Sequence, residues 1–297
     1  MKIVVGASSF ADKSSKAINL MLERGIEVVK NPYGRKMTED ETIVHLQNAD
    51  GLLAGLELLN ENVLSRAPGL KAIARIGIGI ENVDLEYAKK AGIVVSNTPS
   101  GPTEAVAEMT VAALMAIGRD LIDCNDDVHN GIWKKRIGFS VSGLKVLIIG
   151  YGRIGRRVCE ILTFLGADVT AYDTALSEFS TKSLDELLGE VNVITLHASG
   201  KEEILSADRI AQMKDGVVIL NSARGELINE DGLYMALNSG KVSHYWGDVF
   251  PNEPYSGKLV GCKNAVLTPH ISTYSQQCRD SMETEAVMNI LRDLKYV

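Results

Sequence analysis

The apolar run Lys145-Val146-Leu147-Ile148-Ile149 leads directly into Gly150-Tyr151-Gly152-Arg153-Ile154-Gly155, and an apolar helical pattern follows through Val158, Ile161, Leu162 and Leu165. This is strand, glycine turn and helix in immediate succession, and it constrains the fold more than any other stretch. The three glycines answer steric demands: a tight turn, close approach of backbone to a pyrophosphate, and close packing of helix on strand. An anion would rest on the unpaired N–H groups that open the helix, so Gly150, Gly152, Arg153, Ile154 and Gly155 are candidates for binding it. A second strand, Val169 to Tyr172, ends on Asp173. That is close to the roughly 20-residue offset at which a carboxylate meets an adenosine ribose. A carboxylate accepts hydrogen bonds from a 2′-hydroxyl and repels a 2′-phosphate, which points to NAD rather than NADP.

The 297 residues suffice for two domains, each with its own core. A net charge of -7 argues against nucleic acid or an anionic membrane as the main partner, since both select for excess Lys and Arg. No apolar run approaches the roughly 18 residues of a spanning helix, and the opening Met1 to Gly6 lacks the features of a signal peptide, so a cytoplasmic protein is expected. Cys124, Cys159, Cys262 and Cys278 are scattered without a CxxC pair or a zinc-like histidine spacing. Free thiols and no metal site are expected.

Ahead of the glycine turn, strands at Lys2–Val5, Ile26–Val29, Gly51–Ala54, Lys71–Arg75 and Ile93–Ser96 alternate with helices. Thr38-Glu39-Asp40-Glu41 has capping-box spacing, and Asp84 reads as a helix cap. Such alternation implies a parallel sheet covered on both faces. Asn97-Thr98-Pro99-Ser100-Gly101-Pro102 interrupts it, and an Ala-rich, nearly all-round apolar helix from Thr103 to Arg119 suggests burial between domains or subunits. After the glycine turn the alternation resumes, and a last helix runs from about Thr273 to Leu294. Residue order thus gives an α/β fold, with one parallel-sheet unit ahead of the glycine turn and a second built around it.

In open parallel sheets ligands bind beyond the carboxyl ends of strands. Three such ends carry suitable chemistry: Asn221-Ser222-Ala223-Arg224-Gly225, Asp248-Val249-Phe250-Pro251-Asn252-Glu253-Pro254, and Thr268-Pro269-His270. Arg224 could bind a carboxylate bidentately and polarise an adjacent carbonyl. His270 could give a proton to the carbonyl oxygen as hydride reaches carbon, and Glu253 could hold the ring and stabilise the imidazolium.

With these residues in view, the chain resembles the D-isomer-specific 2-hydroxyacid dehydrogenases, a family that includes phosphoglycerate, glycerate and formate dehydrogenases. The resemblance covers nearly the whole length. It rests on Ala74-Arg75-Ile76-Gly77-Ile78-Gly79-Ile80-Glu81-Asn82-Val83-Asp84, Asn97-Thr98-Pro99, Ala107-Glu108, the glycine turn with Asp173, and the three strand-end motifs above. It implies an NAD-dependent interconversion of a small 2-oxo acid and its D-2-hydroxy acid, with Arg224, Glu253 and His270 as the catalytic residues. It further implies that Gly55, Arg75 and the N–H groups of Ile78 and Gly79 face the substrate, and that Thr103, His197, Ala223 and Asp248 neighbour the cofactor. The fold it implies is two Rossmann-like, doubly wound parallel-sheet domains with an active-site cleft between them, residues 1–98 completed by 272–297 forming the substrate-binding domain and 99–271 the NAD-binding domain, usually in a homodimer built largely on the dinucleotide domain.

Phosphoglycerate dehydrogenases tend to carry Arg-Ser after the third strand, where this chain has Ala54-Gly55-Leu56, so a phosphate-binding cation is missing there. The usual His-x-Pro appears as His197-Ala198-Ser199, and the segment from Asp173 to Ser183 is short. Oxidation of a non-carboxylate anion such as phosphite, or an NAD-sensing regulatory role, would use the same scaffold.

Overall fold

The computed structural model describes residues 1–175 and 182–296, so part of the short 173–183 segment lies outside the described residues. The chain divides into two compact units, Met1–Pro102 with the chain from Thr273 onward, and Thr103–Ser272. The first change-over falls at the start of the long helix rather than at Thr98.

In the first unit, strands β1 (Lys2–Val5), β2 (Glu27–Val29), β3 (Gly51–Ala54), β4 (Ala72–Arg75) and β5 (Val94–Asn97) pair in the order β2-β1-β3-β4-β5, every pair parallel. All four residues of β3 are buried. Strands covered on both faces read as continuous apolar runs, as Leu52-Leu53-Ala54 does. The connecting helices are α1 (Lys16–Leu22), α2 (Glu39–His45), α3 (Glu61–Leu64) and α4 (Leu85–Lys90). Their starts follow from capping: Thr38 forms a full capping box with Glu41, and Asp84 accepts the Tyr87 N–H at 2.9 Å. Val4, Leu52, Leu59, Val63 and Ile73 are among the residues of the core on one face of this sheet.

The second unit opens with α5 (Pro102–Gly118) and α6 (Leu121–His129). Strands β6 (Lys145–Ile149), β7 (Asp168–Tyr172), β8 (Val193–Leu196), β9 (Val217–Asn221), β10 (Val242–Gly247) and β11 (Ala265–Leu267) pair in parallel in the order β11-β10-β9-β8-β6-β7. Helices α7 (Arg153–Phe164), α8 (Leu184–Leu188), α9 (Ala207–Gln212) and α10 (Glu230–Ser239) link them. The chain leaves β6 toward β7 on one side and returns to β8 on the other, so the end of β6 is a topological switch point, where doubly wound sheets bind ligands. The terminal helix α11 (Gln276–Asp293), capped by Ser275, belongs to the first unit.

Two features depart from expectation. Ala107, Val111, Ala113, Leu114 and Ile117 of α5 join Val146, Ile148, Val218 and Trp246 in one core, so this apolar helix lies on the sheet of its own unit. Helix α6 has no counterpart in the sequence reading, and it buries none of its residues. Its side chains Asp123 and Asp127 instead hold Arg136, at 3.1 and 2.9 Å.

Candidate active site

The glycine turn sits at the switch point. Gly150 has φ +96°, and a Cβ there would overlap the backbone of His197 and Ala198, which pass beside it after β8. A Cβ at Gly155 would overlap the carbonyl oxygen of Gly150, so only glycine allows α7 to start this close to β6. Gly152, the residue that caps α7, faces open space: nothing lies within 4 Å of a Cβ built on it. Open space at the start of this helix suits a pyrophosphate.

At the end of β7 the Asp173 carboxylate accepts the Tyr151 N–H at 2.7 Å and the Ala175 N–H at 2.9 Å. The acidic residue is therefore tied directly to the second residue of the glycine turn. His197 follows β8, and its Nε2 lies 2.9 Å from Thr195 Oγ1. Burial pushes its pKa down to about 3, so the ring stays neutral and suits a cofactor neighbour better than a proton carrier. Thr103 stands in the first turn of α5, and Ala223 is buried just beyond β9.

Arg224 follows β9 on a turn fastened by Asn221, whose Nδ2 donates to the Arg224 carbonyl at 2.8 Å while its Oδ1 accepts the Ala223 N–H at 3.0 Å. The guanidinium donates from Nη1 to the Ala223 carbonyl at 2.7 Å. Glu253 and His270 are brought together, with Glu253 Oε2 3.0 Å from His270 Nδ1. The other carboxylate oxygen, Oε1, accepts the Phe250 N–H at 3.0 Å, which fixes the carboxylate against its own loop. With Nδ1 engaged by Glu253, Nε2 is the nitrogen available to carry a proton to a substrate.

His270 occupies the left-handed region at φ +55°, a conformation that persists only where its surroundings impose it. Asp248 supplies that constraint. Its fully buried carboxylate accepts Thr268 Oγ1 at 2.6 Å, the Ile271 N–H at 2.9 Å, the Ser272 N–H at 2.8 Å and Ser272 Oγ at 2.5 Å. These partners stand on both sides of His270. Both its oxygens thus accept from the histidine loop. Thr268 and Ser272, the donors the sequence reading missed, had one signal: hydroxyl residues flanking a strand-end histidine.

In the first unit, Arg75 ends β4 and the loop Ile76-Gly77-Ile78-Gly79 follows. Thr98 clamps this loop, accepting the Gly77 N–H on Oγ1 at 2.7 Å and donating its own N–H to the Gly77 carbonyl at 3.0 Å. Asn97 donates to the Ile78 carbonyl at 2.7 Å, which explains the Asn-Thr-Pro motif in physical terms. The Arg75 guanidinium folds onto the loop, with Nη1 against the Ile76 carbonyl and close over Gly77. Gly55 is buried after β3, its N–H donating to both oxygens of Glu57 at 3.0 Å. Among the described residues no group of three or more His, Cys, Asp or Glu could hold a metal ion, and no helix is long and apolar enough to cross a membrane.

The comparisons with known proteins agree with this geometry. The family model for the NAD binding domain of the D-isomer specific 2-hydroxyacid dehydrogenases matches residues 111–272. A hydroxypyruvate reductase of Blautia hydrogenotrophica is 36% identical over 275 residues, the match covering 86% of this chain and 85% of that protein. A D-3-phosphoglycerate dehydrogenase of Archaeoglobus fulgidus is 32% identical over 282 residues, covering 90% of this chain but 53% of that protein. Among solved structures, the TT0316 protein from Thermus thermophilus superposes with a TM-score of 0.89 at 32% identity, covering 100% of this chain and 97% of that one. NAD is the cofactor. The chain belongs to the D-isomer specific 2-hydroxyacid dehydrogenase family and is an NAD-dependent oxidoreductase of that class.

Proposed function

We propose that this enzyme interconverts a small 2-oxo acid and its D-2-hydroxy acid, with His270 as general acid and base, Glu253 as its partner, and Arg224 binding and polarising the substrate. The observation that carries the proposal is the 3.0 Å contact between Glu253 Oε2 and His270 Nδ1, on a loop that Asp248 holds from both sides. NADH supplies the hydride. His270 delivers a proton from Nε2 to the carbonyl oxygen, and Glu253 stabilises the imidazolium before transfer and orients the neutral ring afterwards. Arg224 offers paired N–H donors to the carboxylate and draws electron density from the neighbouring carbonyl. In the first unit we assign Gly55, Arg75 and the N–H groups of Ile78 and Gly79 to the substrate. Thr103, Ala223, His197 and Asp248 are assigned to the cofactor. The relatives named as reductases and dehydrogenases favour catalysis over an NAD-sensing role. The relatives' names make hydroxypyruvate and 3-phosphohydroxypyruvate the first substrates to try, with glyoxylate and pyruvate beside them. NADH consumption with at least one 2-oxo acid is expected; silence across the set, with NADH bound, would refute the assignment.

Asp173 is assigned to the adenosine ribose. Asp173→Ala is expected to raise the dissociation constant of NADH by about tenfold, the loss of one charge-assisted hydrogen bond, and to narrow the preference for NADH over NADPH. Titrating both cofactors against the variant checks this, and an unchanged preference would remove Asp173 from the ribose site.

The 121–137 stretch exposes Leu121, Ile122, Val128, Ile132, Trp133 and Ile137, with Trp133 84% and Ile137 99% exposed, while Arg136 pins the strip to Asp123 and Asp127. Apolar exposure on this scale marks a surface for association, and a homodimer through this arm is assigned. Ile137→Glu is expected to halve the mass measured by light scattering at micromolar concentration; wild-type protein that is already monomeric would contradict it. The four cysteines are free, as in a reducing cytoplasm, the compartment we assign to the enzyme.

A further inference from the structure

Trp246 is one of two tryptophans in the chain, is fully buried in β10, and has no part in the chemistry proposed above. It joins Val111 and Leu114 of α5 and Val218 and Leu220 of β9 in one core. An indole has a single polar group, which can only donate, and burial makes an unanswered donor costly. Here Nε1 donates to Thr268 Oγ1 at 3.1 Å. Thr268 stands at the end of β11, where its N–H donates to the Gly247 carbonyl at 3.0 Å and where Gly247 is in register with Leu267. The period of two along a strand carries Asp248 to the same side as Trp246, and Thr268 bridges them. Its hydroxyl donates onward to Asp248 Oδ1 at 2.6 Å.

A hydroxyl has a single proton to give. Because the indole occupies an acceptor site on Oγ1 and cannot itself accept, that proton is aimed at Asp248. Donors in series also strengthen one another in a buried site. The same carboxylate holds the Ile271 and Ser272 N–H groups at 2.9 and 2.8 Å, on the far side of His270, whose backbone lies at φ +55°. We infer that Trp246 is a positioning residue for proton transfer: by fixing the Thr268 hydroxyl on Asp248 it keeps the His270 loop, and with it the Glu253–His270 pair, in the arrangement that delivers the proton. It acts through Thr268 and Asp248 alone. The inference rests on the reading of His270 as general acid given above.

The test measures kcat, KM for the 2-oxo acid and NADH affinity in Trp246→Phe, Thr268→Val and the double variant, with His270→Ala as the control. Trp246→Phe keeps an aromatic ring in the core and removes the donor; kcat is expected to fall about fivefold, the worth of one buried hydrogen bond, with KM and NADH affinity unchanged. Thr268→Val is expected to lose at least as much, and adding Trp246→Phe to it is expected to lose nothing more, since the indole acts through the hydroxyl. Thr268→Ser, which keeps the hydroxyl, should retain kcat. A ring that served packing alone would lower the melting temperature in both backgrounds and leave kcat of the folded enzyme in place. If Trp246→Phe does not fold, Thr268→Val still decides, read together with the two indole N–H signals in the NMR spectrum of nitrogen-labelled enzyme. The signal of buried Trp246, told from that of exposed Trp133 by its slow exchange, should move upfield in Thr268→Val while the other stays. Wild-type kcat in Trp246→Phe or Thr268→Val, losses that multiply in the double variant, or an unmoved indole signal would overturn the inference while leaving the reaction intact. Undiminished turnover in His270→Ala, or no turnover of any acid in the set, would instead overturn the reading on which it rests.

Discussion

His270→Ala is expected to lower kcat by about 10² to 10⁴, the usual contribution of a positioned general acid, with NADH affinity within a few-fold of wild type. In barrier terms this is roughly 3 to 5 kcal/mol. The effect should be large because the structure spends so much on this side chain. Asp248 commits a fully buried carboxylate to Thr268, Ile271 and Ser272, and Glu253 divides its two oxygens between the His270 ring and the Phe250 N–H. The backbone of His270 is held in a left-handed conformation by those bonds. Removing the ring leaves the loop's anchors in place, so the loss should fall on kcat and spare the cofactor. Steady-state kinetics together with fluorescence titration of NADH separate the two. Turnover undiminished in the variant would exclude His270 as the proton carrier.

Gly155→Ala is expected to have an effect of comparable size on a different step. The added methyl would overlap the Gly150 carbonyl oxygen and meet the Ile148 side chain, so α7 must move away from β6. Overpacking of this kind costs about 1 to 3 kcal/mol of stability. The greater loss should be in binding, because the N–H groups of Arg153 and Ile154 lie on the first turn of that helix and move with it. A rise of more than about 30-fold in the NADH dissociation constant is expected, with a lowered melting temperature. Gly152→Ala makes a useful contrast. The space over Gly152 is open in the protein alone, so this variant should fold normally and lose affinity through collision with the pyrophosphate. Calorimetry measures both melting and binding; an unchanged affinity in Gly155→Ala would mean that the helix start does not hold the dinucleotide.

Much of the fold could be read from residue order because its signals are local. The capping boxes at Thr38 and Ser183 start helices where they stand, and the uninterrupted apolar run at Val146–Ile149 is a buried central strand. Helix α6 escaped because Asp123, Asn125, Asp126 and Asp127 read as solvated surface until Arg136 closes on Asp123 and Asp127. The burial of α5 was legible from its composition, but its partner was not, since an all-round apolar helix does not say which sheet it covers. Within the site, strand-end residue types drew attention to Arg224, Glu253 and His270, and the structure supplies the Glu253–His270 contact. What sequence alone could not supply are contacts made by folding back across the chain. Asp248 reaches 20 to 24 positions ahead to brace the histidine loop, and Glu57 turns under Gly55 instead of facing solvent. A glutamate between two leucines reads as an ordinary polar break until its burial is seen.

The central claim is that hydride from NADH and a proton from His270 arrive at one carbonyl group. The most direct measurement incubates the enzyme with NADH deuterated at the transferable position and hydroxypyruvate, then examines the product by NMR and by chiral chromatography. The account requires deuterium at C2 of the D-hydroxy acid, formed by the wild type and formed about 10² to 10⁴ times more slowly by His270→Ala. Product without deuterium at C2, product of the L configuration, or the same initial rate from the alanine variant would contradict it.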